Sequence, residues 1–364
     1  MTVLSAEKTN PLQVSLYKKE SGFVFKDEFQ TMHPDWILSP IGSVNIAARN
    51  GYLRLEHNEN TDVLALLEKP DSDIAIQVVS EYSPTAAGDE GGLILFENDD
   101  NKVEFLEAFS AVSNVDSKEW LAVSKGDQWN FFSKKESGFE FENSERIHAN
   151  KIGIVLKKGI NKDFVNLDIN KVIVTKGNKL KLRQAFPKSQ VILKDAVGLT
   201  IFHGLIEELH TGIDIPLPSL EFEGSLQILD NYGNLIAEKS ALFHGGDIYN
   251  LGSPLKIYMN TAELSDTSIT DLGYMTEGER LVKMTIANEN FTAATNLYIS
   301  VQQYLDKAGY TWADISFDGS AYGDQLYIGT LEAQTTKDFF VKVTKDYDYI
   351  GFEPIYFNIK LKHD

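Results

Sequence analysis

Almost every readable segment of this chain alternates apolar and polar residues with a period of two. Val282, Met284 and Ile286 fall on one side, with Lys283, Thr285 and Ala287 on the other. Leu297, Ile299 and Val301 repeat the pattern, as do Phe339, Val341 and Val343. Near the C-terminal end Ile355, Phe357, Ile359 and Leu361 oppose Tyr356, Asn358, Lys360 and Lys362. Residues two apart share one face of a strand, so these segments read as antiparallel strands with one wet face. Turn chemistry separates them at Asp230-Asn231-Tyr232-Gly233, Gly245-Gly246-Asp247 and Asp318-Gly319-Ser320. The longer stretch from Asn296 to Ala308 is open to a helical reading, but Leu297 to Val301 reads better as strand. The expected class is all-β.

A chain of 364 residues is too long for one sandwich of this kind, so two or three units of roughly 100–170 residues are expected. The pattern divides into an N-terminal arm at 1–21, a sandwich at 22–176, a spacer at 177–262 and a final unit at 263–364. The polar stretch Glu263 to Ser268 separates the last two. There are no cysteines, which removes disulfides and thiolate chemistry and leaves packing to hold the fold. The net charge of -19 opposes binding to nucleic acid and to anionic membrane surfaces. Residues 1–21 carry no apolar core of signal-peptide length, and no run reaches the ~20 apolar residues of a membrane span. Synthesis without Sec-type export and no membrane insertion are expected.

Within 22–176 the segments follow a definite order. Phe25-Lys26-Asp27-Glu28-Phe29 precedes Trp36, then Gly51-Tyr52-Leu53-Arg54-Leu55-Glu56, then Gly91-Gly92-Leu93-Ile94-Leu95-Phe96. The turn Asn98-Asp99-Asp100-Asn101 leads to Val103-Glu104-Phe105-Leu106. Trp129-Asn130-Phe131-Phe132-Ser133, Lys151 to Leu156 and Phe164 to Ile169 complete the set. This layout resembles the concanavalin A-like modules attached to bacterial glycosidases such as β-xylosidases. The resemblance implies a jelly-roll sandwich and a carbohydrate-binding role. The order of segments in 177–262 and 263–364 resembles smaller immunoglobulin-like sandwiches, the first prealbumin-like and the second of the adhesion type found in bacterial surface and phage proteins.

Sugar binding uses aromatic rings that stack on pyranose faces, with nearby polar groups bonding the hydroxyls. Trp36, Trp120 and Trp129 all lie in the first unit, Arg54 should face outward between Leu53 and Leu55, and Tyr82 flanks the strand beginning at Gly91. These five are the candidate glycan contacts; the competing reading puts the aromatics in the core and leaves Arg54 to solvate a strand. Asp99 and Asp100 are the candidate ligands for a structural calcium ion, although the turn lacks an EF-hand frame. No cofactor is otherwise expected. His203 and His210 flank Glu207-Glu208 and read as surface polarity, and the tip from Trp312 to Asp324 reads as a protein-contact patch or an ordinary loop.

Enzyme signatures are absent: there is no Gly-x-Ser-x-Gly, Walker loop or His-Glu-x-x-His. Glycosidases of the concanavalin A-like class often carry Glu-x-Asp-x-x-Glu, whereas Glu104 and Glu107 point to opposite faces of a strand. The sequence therefore predicts a chain that is not an enzyme. It reads as a bacteriophage tail or baseplate component located in the virion, contacting other baseplate subunits and cell-wall polysaccharide or teichoic acid. The rival readings are a glycoside hydrolase, or its detached accessory module, and an assembly protein without a ligand.

Overall fold

The computed structural model describes residues 2–9, 15–111, 118–136, 138–264, 270–275, 278–303, 313–344 and 355–363. Among them the chain is all-β, and the one helical element is the short turn Ile41–Ser43. Six sheets pair into three sandwiches, each with its own apolar core.

The first sandwich sets an eight-stranded sheet against a five-stranded one. Ala75–Glu81 and Leu167–Thr175 run side by side in the middle of the larger sheet. Glu119–Lys125, Gln128–Lys135 and Gly138–Arg146 extend it in one direction. Leu53–Leu55 and Phe23–Asp27 both pair with Leu167–Thr175 on its other side. The smaller sheet is built on Lys151–Leu156, flanked by Glu90–Asn98 and Val63–Glu68. Alternation does the sorting: Leu53, Leu55, Val78, Trp120, Trp129, Phe131, Ile169 and Val172 enter the core, while their sequence neighbours face out.

The second sandwich packs Ile213–Pro216, Lys179–Arg183, Ile248–Gly252 and Ser15–Glu20 against Thr200–Leu205, Gln190–Asp195, Glu221–Leu229 and Leu235–His244. The third packs Thr270–Met275, Thr2–Thr9, Ile355–Lys362, Ala294–Gln303 and Gln325–Leu331 against a sheet centred on Glu279–Asn288.

The arm expected at 1–21 is corrected by this pairing. Thr2–Thr9 runs parallel to Ile355–Lys362 in the third sandwich, and Ser15–Glu20 runs antiparallel to Ile248–Gly252 in the second. The chain therefore passes through the third and second sandwiches, builds the first, and returns through the second to the third. Such pairing joins residues at opposite ends of the sequence, and nothing local in 1–21 announces it.

Both passages between the first and second sandwiches go through one turn, Gly245-Gly246-Asp247. Gly22 lies so close to it that a Cβ there would sit 2.1 Å from the Gly245 carbonyl oxygen. On the return passage, a Cβ on Gly245 would sit 2.0 Å from the carbonyl oxygen of Gly177. Asp247 is fully buried and accepts hydrogen bonds from the Gly22 N–H at 2.7 Å and the His244 N–H at 2.9 Å. Its other partner is the Lys18 ammonium at 2.8 Å. Three donors satisfy the carboxylate, as a buried charge requires. Asp247→Ala should cost about 3 kcal/mol or more, because it strands a cation and two N–H groups. Urea denaturation measures the loss, and an unchanged midpoint would contradict this role.

His244 lies in the same junction, edge-on to Phe23 at 5.2 Å, with its Nδ1 buried and unpartnered. Burial holds the ring below its ordinary value; Lys18 and Lys26 act in the same direction, while Asp247 and Glu221 oppose it. In the unfolded chain the ring takes up its proton near pH ~6.5, before the folded ring does. Acidification through that value therefore favours unfolding, and the stability returns as pH rises above it. Denaturation midpoints should fall between neutral and mildly acidic pH, and His244→Phe should flatten that decline. An identical decline in both proteins would contradict the assignment.

Candidate functional site

The outward face of the eight-stranded sheet carries a polar cleft with a volume of about 380 Å³. Its lining comes from three places: Glu28 and Gln30 after the first strand of the sandwich, Asn50 to Tyr52 in the loop before Leu53–Leu55, and Val79, Asn170 and Lys171 on the central strands. The register explains the convergence. Arg54, Asp168 and Glu81 lie in one cross-strand row, and Lys171 pairs with Val79 in the next. Between these rows the pairing slips by one residue, so Asn170 is the extra residue of a bulge.

A closed set of charge-assisted bonds supports the cleft wall. Arg54 grips Asp168 through two bonds of 2.8 Å. Arg49 reaches Glu81 at 2.7 Å and Asp168 at 3.4 Å, and its guanidinium lies 3.6 Å from the centre of the Tyr52 ring. The Tyr52 hydroxyl donates to Glu81 at 2.7 Å. Hydrogen bonds from Arg49 and then Tyr52 hold the Glu81 carboxyl below its ordinary range. Glu81 therefore stays ionised and accepts hydrogen bonds. Arg49 thus covers one face of the Tyr52 ring.

One atom in the cleft lining lacks a partner. Asn170 interacts with Tyr52 through its side chain, yet its Oδ1 is buried with no hydrogen bond. Such a group costs about 1–3 kcal/mol unless a donor reaches it.

The cleft adjoins the second sandwich. Lys26 and Lys171 both bond Glu221, at 3.0 and 3.2 Å. Gln77 accepts from Ser219 at 3.0 Å and the Leu220 N–H at 2.8 Å. Leu220 is buried against Ala75, Leu121 and Ile173, so this segment of the second sandwich covers part of the outward face.

The sequence candidates fall elsewhere, with one exception. Trp129 and Trp120 are fully buried between the sheets, and neither indole N–H has a partner. Phe131 stacks on Phe105 from the opposing sheet at 5.2 Å, so the inward face of this strand is core. The aromatic that points outward is Phe132, edge-on to Phe141. Trp36 is buried and donates to Asp27 at 2.8 Å. Tyr82 is buried and donates to Asp89 at 2.6 Å, while Asp89 also meets His57 at 3.1 Å; burial and that carboxylate push the phenol far up. These four aromatics are therefore corrected from glycan contacts to core. Arg54 does face outward, but its guanidinium is committed to Asp168, behind the cleft wall. Tyr52 was within reach of the sequence, because it shares a face with Arg54 two residues later. Asn170 was not, since only the bulge places it.

The calcium candidates lie in the turn between Glu90–Asn98 and Asn101–Ala108. Asp99 and Asp100 sit in a tight turn in which the Asn98 side chain accepts from the N–H groups of Asp100 and Asn101. Among the described residues no three His, Asp or Glu side chains gather as a metal would require. Glu104 is held by Lys157 at 3.0 Å on the outer face of the smaller sheet. Of the tip from Trp312 to Asp324, Trp312 lies outside the described residues. His203 and His210 are exposed.

No protein-family model matches the chain, and no curated protein sequence does. Among solved structures it is similar to the GH43 BlXynB protein from Bacillus licheniformis, at 15% identity and a TM-score of 0.35, over 42% of this chain and 39% of that one. It is also similar to a xylan β-1,4-xylosidase from Bacillus halodurans, at 12% identity and a TM-score of 0.36, over 41% and 38%. A third is the Bacteroides ovatus protein described as xyloglucan PUL GH43B, at 12% identity and a TM-score of 0.35, over 41% and 38%. The chain spans about two fifths of the length of the structures it matches. Because these neighbours are glycoside hydrolases, the expectation that the chain is not an enzyme is corrected, and that exclusion is withdrawn. At these values the likeness assigns no reaction.

If Trp129 is core, Trp129→Ala should lower unfolding free energy by about 3–5 kcal/mol in urea denaturation. A protein of unchanged stability would return Trp129 to the surface.

Proposed function

We propose that the first sandwich binds a polysaccharide segment in the cleft around Tyr52. The observation that carries this reading is the half-buried Tyr52 ring, backed by the Arg49 guanidinium, among the side chains of Glu28, Gln30, Asn50 and Lys171. A sugar suits that lining: its hydroxyls can bond the polar side chains, and its C–H face can lie on the ring. The volume suits one or two sugar residues, and the bonds from Arg49 and Arg54 fix the wall before binding, which limits the ordering cost.

The setting expected from sequence, a tail or baseplate component touching cell-wall polysaccharide or teichoic acid, is proposed on the sequence reading alone. Many copies on one particle would multiply a weak site by avidity. Mass spectrometry of purified particles tests that setting separately from the cleft.

Calorimetric titration with a panel of neutral and acidic oligosaccharides tests the cleft. Tyr52→Ala should weaken binding by about tenfold or more, equivalent to about 1.4 kcal/mol, with little change in melting temperature. Equal affinity in the two proteins would reject the reading. Reducing ends released in the same samples, and lost in Tyr52→Ala, would extend it from holding to cutting.

A further inference from the structure

The second sandwich ends on one side in a strand edge without charge, its pairing slipping once at Ile201. Thr200–Leu205 pairs with Gln190–Asp195 on one side and, among the described residues, with nothing on the other. An edge strand offers a row of unsatisfied N–H and C=O groups, and proteins ordinarily guard it with charge, proline, brevity or a bulge. The other edges of this chain show such guards. Leu235–His244 carries Glu238 and Lys239, Ile213–Pro216 ends in proline, and Gly138–Arg146 and Asn101–Ala108 are rich in charge. Gln325–Leu331 is uncharged but is interrupted by two register shifts. From Ala196 to Ile206 there is no formally charged residue at all, in a chain whose net charge is -19.

Exposed aliphatic side chains gather at this edge and beyond its two ends. Val197 is 88% exposed, Leu199 64%, Leu205 59% and Leu209 93%, and Ile201 is exposed as well. The arrangement is symmetric about His203. Ile201 and Leu205 lie two residues to either side of it, and Val197 and Leu209 six. The nearest acidic side chains beyond the C-terminal end already have partners: Glu208 meets Lys188 at 2.7 Å and Glu207 meets His210 at 3.1 Å.

We infer that Thr200–Leu205 is a self-association edge, pairing antiparallel with the same strand of a second copy. A two-fold axis at His203 sets Ile201 of one copy beside Leu205 of the other and brings each Val197 toward the partner copy's Leu209. The two four-stranded sheets then continue as one, and the exposed aliphatics are buried against each other. A second copy fits because the edge is complementary to itself in pattern. It also fits because a contact between two strongly acidic chains is least opposed where charge is lacking. An isologous interface of this kind closes on itself and stops at the dimer.

Sedimentation of the full chain over a dilution series in the micromolar range tests the inference. The wild-type mass should rise toward twice that of the monomer with concentration, while Leu205→Lys should remain monomeric with an unchanged melting temperature. Tyr327→Lys, placed on the uncharged edge Gln325–Leu331, should dimerise as wild type does. A wild-type chain that stays monomeric would overturn the proposal, and so would a dimer that survives Leu205→Lys or is abolished by Tyr327→Lys.

Discussion

The buried carboxylate of Asp247 is the point on which the arrangement of this chain turns. The first sandwich is an insertion in the second, and both strands of the insertion must leave through the same small gap. Gly22 and Gly177 bring two backbones against the Gly245-Gly246-Asp247 turn, closer than any side chain would permit. Packing three backbones this tightly leaves polar groups without access to water. Asp247 satisfies two N–H groups and the Lys18 ammonium at once. Its charge is tolerable only because all three partners are present. A compact junction of this kind transmits orientation, which a flexible linker would not.

The position of the cleft follows from that junction. Strand Leu167–Thr175 runs from the cleft, at Asn170 and Lys171, into the return passage at Gly177. Strand Phe23–Asp27 runs from the outward passage at Gly22 to the cleft at Glu28. Glu221 of the second sandwich meets Lys26 and Lys171, one from each strand. Burial works against its charged form, but the hydrogen bond from Lys26 and the charge of Lys171 outweigh that and hold Glu221 below its ordinary range. The cleft wall is thus braced from a neighbouring unit.

The strands and their faces were legible in the sequence because alternation reports them directly. Arg54 outward between two buried leucines follows from period two alone. The alternation at Trp129-Asn130-Phe131-Phe132 was equally visible, but it gives two faces without saying which is core. The smaller sheet resolves this by placing Phe105 opposite Phe131 of the eight-stranded sheet. The choice of tryptophans as sugar contacts failed there: large rings fill a sandwich core better than most residues, and that preference prevailed. Tyr52 gives a weaker signal because it is smaller and sits in a turn. Register and bulges decide the rest. Asp168 opposite Arg54, and Asn170 displaced between two rows, depend on a slip that no local pattern encodes. The nesting was least legible of all, since Thr2–Thr9 finds its partner at the far end of the chain.

A sugar held against the outward face of the eight-stranded sheet would shield the backbone there. Hydrogen-exchange mass spectrometry of the intact chain, with and without a binding oligosaccharide, reads this directly. Protection should appear at 28–30, 49–54 and 168–171, with the second and third sandwiches unchanged. Protection confined to either of those sandwiches, or to the smaller sheet of the first, would contradict it.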